Sequence, residues 1–284
     1  MAEHPEHTPP HRPHRRSRWR RSAKWSLLLI ALYTLAAYLA LPMFWTHYEH
    51  QRRLADIPMV TRTAQGIPGD PINVGLIGDQ KEVVCAMLAA NWVPADPITL
   101  RSSIEIAGSV LLDRPYRNAP VSNLYYLGRR EDLAFEKPDG GSADRRNHVR
   151  FWKVLDKGDE GRPVWLGSAT FDRGVGISHY TGAVTHHIDP DIDAERARLA
   201  GDLEAVKMVE AKYQVTGIGP TLAGRNGGGD TYYTDGEVWI LRLVADCKKH
   251  DGPLDVLPSP LATQIKDQIF RTVTEAIGSV SPAP

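Results

Sequence analysis

His148, Arg150, Thr170, Asp172 and His187 are the residues whose types and spacing best support chemistry. Successive side chains of a strand point to opposite faces. In a strand over 147–155, His148 and Arg150 therefore share one face while Val149 and Phe151 take the other. In a partner strand over 163–172, Ser168, Thr170 and Asp172 lie opposite Trp165, Ala169 and Phe171. The turn-rich stretch 156–161 joins the two as a hairpin. With both apolar faces on a core, the polar residues form one patch. In a further strand ending at Ile188, His187 follows Thr185, whereas His186 keeps company with Val184 and Ile188. His187 is thus expected to join the patch and His186 to point inward.

Two chemistries fit this group. Neutral imidazoles beside a carboxylate suit a divalent metal that activates water. His179, in the glycine-bearing loop 174–182, would complete a metal set of His179, His187 and Asp172. Without a metal, a catalytic group of His148, Asp172 and His187 offers a general base while Arg150 or Arg173 holds an anion. The spacing H-x6-H-H is not a standard ligand pattern, and a hydrogen-bonded structural role accounts for the same residues without chemistry.

The stretch GIGPTLAGRNGGGD (217–230) is the second candidate. Gly227 and Gly228 could present backbone N–H groups to an anion, with Arg225 adding charge, as a flap beside the histidines. It lacks the GK[ST] ending of a nucleotide-binding loop and opens no helix, so both phosphate fingerprints are excluded. No Gly-x-Ser-x-Gly elbow supports a serine hydrolase. The run Asp189, Asp191, Asp193, Glu195 has no EF-hand glycine and reads as a helix start. Tyr232 and Tyr233 read as packing residues.

The elements that must position these residues follow from pattern. A buried strand is predicted over 72–77, then a helix opened by Asp79 and Glu82 as a capping box. Asp96–Pro97 starts another helix, running to about residue 112. Strands dominate from 123 to 188, with short ones at 123–127 and 133–136 ahead of the hairpin. A helix begins at Asp189–Pro190, a strand covers 237–244, and an amphipathic helix closes the chain over 260–277. Strand runs mixed with helices imply an α+β fold with a mainly antiparallel sheet.

The 284 residues are 42% hydrophobic and 24% charged, enough to bury a core. Net charge is zero, but the basic residues crowd into the first 24 positions. A nucleic-acid partner would call for that excess on the folded part, so it is disfavoured. Residues 25–45 carry no charge, and at about 1.5 Å per residue they cover an apolar layer of about 30 Å. Trp25 and Trp45 end the stretch like interfacial aromatic belts, and Pro42 falls in its last turn. The cationic flank stays in the cytoplasm. The expected organisation is a disordered basic cytoplasmic tail (1–24), a transmembrane helix (25–45), a linker (46–68), an extracytoplasmic domain (69–277) and a disordered end (278–284). The expected address is the inner membrane, in a single pass. Cys85 and Cys247 form no C-x-x-C pair, and reduced, buried thiols are the plain expectation.

Five blocks, GDPINVGLIG (69–78), residues 91–116, RNHVRFW (146–152), residues 169–196 and GPTLAGRNGGGDTYYTDGE (219–237), resemble the LssY C-terminal domain family. The resemblance implies a bacterial envelope-associated domain, often joined to membrane-spanning regions and sometimes to lipid-phosphatase-like modules. It carries over no catalytic residues, and no PSGH-type block is present. The sequence therefore leads to two functional expectations. One is a membrane-anchored module binding an envelope partner or an anionic, lipid-linked ligand. The other is a metal-dependent hydrolase of a phosphorylated or acylated envelope substrate.

Overall fold

The computed structural model describes residues 15–40, 54, 57–95, 124–139, 145–180, 182, 184–215 and 223–258, with a few single positions between 261 and 272. The predicted helix from residue 96 lies outside these, as does most of the one over 260–277. The chain divides into two units, Met1–Trp45 and Thr46–Pro284.

In the first unit, α1 (Arg15–Leu35) is followed by a π-helical stretch, Ala36–Ala40. The expected transmembrane helix over 25–45 is not found in that form. Among the described residues, no helix is long and apolar enough to cross a membrane. The reason is where the helix starts: α1 takes ten residues from the basic tail, and Leu35 ends its α-helical part. Residues 41–45 lie outside the described ones. Within α1, Leu27, Leu28, Leu29, Ile30 and Leu32 are all exposed.

The second unit is α+β. Its main sheet is built from β3 (Val74–Ile77), β4 (Val93–Pro94), β7 (Leu133–Pro138), β8 (Arg146–Leu155), β9 (Val164–Ile177), β10 (Val184–Ile188), β11 (Val209–Val215), β14 (Val238–Leu243) and β15 (Asp255–Val256). The order is β15-β11-β14-β3-β9-β8-β7-β4, with β10 paired to β9. Only β3–β14 and β11–β15 run parallel. A smaller antiparallel sheet has the order β2-β1-β5-β6, from β1 (Val60–Thr63), β2 (Pro68–Pro71), β5 (Leu124–Tyr126) and β6 (Arg129–Arg130). β1 lies inside the stretch expected to be linker. Thr61 shows why it is held: it is fully buried, with its hydroxyl on the Asp70 carbonyl.

Two helices cover one face of the main sheet, α2 (Gln80–Ala89) and α3 (Ile192–Ala205). Asp79 and Glu82 form the capping box that opens α2. Asp191 caps α3, two residues later than its predicted start. Val84, Met87, Leu199 and Leu203 pack there on Phe135, Val149, Phe151 and Ala169. Burial of each large apolar side chain contributes roughly 1.5–3 kcal/mol.

The opposite face is split. Toward one end Trp152, Val164, Leu166 and Ile240 meet Tyr126, Leu124 and Met59 in a second apolar core. Further along the same two strands, Arg150, His148 and Arg146 of β8 pair with Ser168, Thr170 and Asp172 of β9. The face turns from apolar to polar within one residue pair.

Candidate metal centre

The polar half of that face is buried: His148, Ser168, Thr170, Asp172, Arg146 and Arg150 are each at most 6% exposed. Burial on this scale demands partners. Arg146 gives Nη1 to Glu136 (2.8 Å) and Nε to Asp172 (3.2 Å). Arg150 stands 3.6 Å from the Asp70 carboxylate. Burial raises the carboxyls of Asp70 and Glu136 above their ordinary range, against the opposing pull of Arg150 and Arg146 respectively. His148 is held well below its ordinary value, first by burial and then by Arg150, Arg146 and His186, so it is neutral. Its Nε2 and the Ser168 hydroxyl find no hydrogen-bond partner among the described residues.

The two adjacent histidines divide otherwise than simple alternation suggests. His186 reaches the patch, its Nε2 3.4 Å from Arg146 Nη2. His187 instead turns to a different carboxylate, with Nδ1 2.6 Å from Asp230 Oδ1. A register shift between His187 and Ile188 in the β9–β10 ladder is the cause, because an irregularity of one residue reverses the alternation beyond it.

His179 completes a group with His187 and Asp230 whose ligand atoms all lie within 4.8 Å of one another. The two imidazole rings are 5.9 Å apart, centre to centre. Asp172, the carboxylate expected in the metal set, is committed to Arg146 and is not in this group. Asp230 takes its place. His148 remains with the buried patch.

The group is set by close backbone approach. A Cβ on Gly176 would lie 2.1 Å from His187 Nε2, and one on Gly229 would lie 2.6 Å from His179 Cβ. Gly229 also has φ +93°, a conformation that L side chains rarely adopt. Two glycines thus make room for two imidazoles.

Asp230 is delivered by a small hairpin, β12 (Ala223–Arg225) and β13 (Thr231–Tyr233). The turn between them is ordered by its own hydrogen bonds. Asn226 Oδ1 accepts the N–H groups of Gly228 (3.0 Å) and Asp230 (2.9 Å), and Asn226 O accepts that of Gly229 (3.0 Å). Arg225 Nη1 binds Gly229 O at 2.8 Å. His179 N donates to Gly228 O (2.9 Å), which ties the histidine loop to the turn. Gly227 is packed close to Thr63. The described part of the glycine-rich stretch, 223–230, lies beside the histidines. Its N–H groups at 228, 229 and 230 are spent inside the turn, and Arg225 serves the turn as well. Arg173 is exposed. The acidic run caps α3, and Asp193 accepts from Thr234 Oγ1 (2.9 Å) and Asp235 N (2.6 Å).

Sequence reasoning missed Asp230, Asn226, Arg146, Glu136 and Asp70 as members of this region. Arg146 was within reach, since it shares parity with His148 and Arg150. Asp230, closing a run of three glycines, was visible as the end of a turn but not as a neighbour of His187.

A metal fits this donor set. Zinc sits at about 2.0–2.2 Å from imidazole nitrogen and carboxylate oxygen in a tetrahedral array, so two donors on one ion stand roughly 3.3–3.6 Å apart. Ligand atoms all within 4.8 Å of one another reach that spacing with side-chain shifts on the order of 1 Å. His179 is exposed and His187 half-buried, so both have room to adjust. Asp230 Oδ2 stays anchored by the Ile188 N–H at 3.2 Å.

Residues 54–238 match the family model described as LssY C-terminus. The chain belongs to this family. No curated protein and no solved structure matches it. The matched span covers the smaller sheet, the main sheet up to the first residue of β14, the buried patch, His179, His187 and Asp230.

Proposed function

We propose that this LssY C-terminal domain is a metal-dependent hydrolase of a phosphorylated or acylated envelope substrate. The observation that carries the reading is the grouping of His179, His187 and Asp230. Three protein ligands that leave coordination positions open are the pattern of catalytic rather than structural zinc. A divalent cation there would polarise a substrate oxygen and lower the pKa of a water molecule. Among the carboxylates of this region, Glu136 and Asp172 are paired with Arg146 and Asp70 with Arg150, whereas Asp230 faces a histidine. The anion-binding alternative has thinner support, because Arg146 and Arg150 are paired to carboxylates and Arg225 to backbone.

The setting we propose is the outer face of the inner membrane, with the uncharged stretch 25–45 in lipid and the basic tail inside. What supports it is the run of exposed apolar side chains on α1 and the cationic flank before them. A reporter fused to the C-terminus would be active only outside the cytosol; activity only in the cytosol removes the topology.

The hydrolase is tested on the full chain in detergent, stripped with chelator and dialysed against Zn2+ and Mn2+. One ion per chain, lost in His187→Ala and Asp230→Asn, is expected. Metal-restored cleavage of p-nitrophenyl phosphate or p-nitrophenyl acetate is expected with it. Absence of stoichiometric metal overturns the reading, and bound metal without cleavage reduces it to a binding site.

A further inference from the structure

Cys85 and Cys247 are 162 positions apart in the chain, and neither enters the reading above. The fold brings them together at the edge of α2. β14 is parallel to β3, the strand that leads into α2, so its end arrives beside the start of that helix. A 3-10 turn at Ala245–Cys247 follows β14 directly.

Contacts independent of sulfur clamp this corner to α2. Glu82 Oε1 accepts the Asp246 N–H at 3.2 Å. Glu82 Oε2 is 2.6 Å from Arg162 Nη2, and Arg162 Nη1 binds Leu243 O at 2.8 Å. Arg162 and these backbone N–H groups hold the Glu82 carboxyl below its ordinary range despite the opposing effect of its burial. Cys247 Sγ comes to rest 3.9 Å from Lys81 O. Lys81 is one helical turn before Cys85, and side chains on a helix lean toward its N-terminus. Cys85 therefore leans over the turn on which Cys247 sits, and the two thiols share this corner.

The backbone at this point is unusual as well. Asp246 (φ 55°) and Cys247 (φ 59°) are consecutive non-glycine residues in the left-handed region. Such strain persists only where surroundings impose it. Here it turns Cys247 back toward α2. Both thiols are half-buried, so a reagent can reach them.

From this placement we infer that Cys85 and Cys247 form an intramolecular disulfide, made by exchange with an external disulfide. The thiolate of Cys247 attacks one sulfur of the external disulfide and expels the other as a thiolate. Cys85 then attacks the Cys247 sulfur of the mixed disulfide and expels the second thiolate. The protons of the two cysteines end on the two released thiols. Burial, and then the neighbouring Cys247 thiol, push the Cys85 thiol up to about 12, so it seldom meets outside reagents as a thiolate, and its attack in the second step relies on the nearness of the Cys247 sulfur. The bond would join the middle of α2 to the 3-10 turn after β14 and close a loop that contains the metal centre.

The test uses the full wild-type chain in detergent, equilibrated with oxidised and reduced glutathione. It is then acid-quenched and alkylated before peptide mass spectrometry. The expected product is one cross-linked peptide pair joining Cys85 to Cys247, already dominant when reduced glutathione is in excess. The unfolding midpoint should rise by several degrees on oxidation, with no such rise in Cys85→Ser or Cys247→Ser. Glutathione adducts on the separate cysteines, or disulfides between chains, would overturn the inference without touching the metal reading.

Discussion

His187 Nδ1 and Asp230 Oδ1 are 2.6 Å apart although 43 positions separate them in the chain. A carboxylate on one ring nitrogen orients the imidazole and sets which nitrogen carries the proton. In a metal site the same pair supplies two donors. Either way, Asp230 rather than Asp172 governs this histidine.

The exchange of carboxylates gives the sharpest contrast. Asp230→Asn is expected to cost more in metal affinity than the roughly 10–100-fold loss typical of an outer-shell partner. Asp172→Asn should leave metal affinity within a factor of a few. It breaks the buried pair with Arg146 and is expected to destabilise by about 2–3 kcal/mol, moderated by the remaining Glu136 contact. Metal titration and denaturant unfolding of the two variants read both quantities.

Gly176→Ala places a methyl group where His187 Nε2 now sits. The half-buried ring can swing outward, so the fold should survive with less than about 1 kcal/mol lost. Metal binding should fall to the level of His187→Ala. Unchanged affinity in the alanine variant would show that the present ring position is not the ligating one.

Asn226→Ala removes the acceptor for two turn N–H groups and the side-chain hydrogen bond that lowers the Asp70 carboxyl. A destabilisation of about 1–3 kcal/mol is expected, with weaker metal binding because Asp230 loses its fixed position. Thermal unfolding and dialysis on the same sample separate the two effects.

Glu195 makes stability fall as pH rises. It is only 3% exposed and its carboxyl is pushed up to about 8, chiefly by burial, with Arg198 opposing and Asp202, Asp172 and Asp139 adding to the rise. Between its ordinary 4.5 and about 8, the folded chain holds a proton that the unfolded chain has released. Glu195→Gln should therefore gain on the wild type progressively across that window, by on the order of 4 kcal/mol at its upper end. Urea unfolding at pH 5, 6.5 and 8 measures the divergence; a gap that does not grow with pH would refute it.

His148 acts in the opposite sense. Buried and neutral, it leaves the unfolded chain binding the extra proton below the ordinary imidazole value of 6.5. Its contribution is present above that pH and is lost as pH drops, at up to about 1.4 kcal/mol per unit. His148→Gln should flatten the acid side of the stability profile. An unchanged acid limb would mean that another group sets it.

Much of the frame was legible along the chain because it is local. The capping box of α2 needs only Asp79 and Glu82 three residues apart, and β8 shows its two faces in strict alternation. β1 and β2 escaped notice since their patterns are short and pairing alone defines them, whereas β11 was missed although Val209, Ala211, Tyr213 and Val215 alternate with polar residues at strand period. The patch was legible as shared parity, but not its burial, which comes from what packs above it.

By itself, the amino-acid order determined the family, the α+β class, the capped helices and the set of polar residues on one face of β8 and β9. Each of these rests on neighbours within a few positions or on composition. Only the tertiary structure decided that Asp172 belongs to Arg146, that His187 belongs to Asp230, and that Cys85 meets Cys247. Those pairings depend on a register irregularity where β9 meets β10 and on strands far apart in sequence being laid side by side. Alternation shows which way a side chain points and says nothing of what waits there.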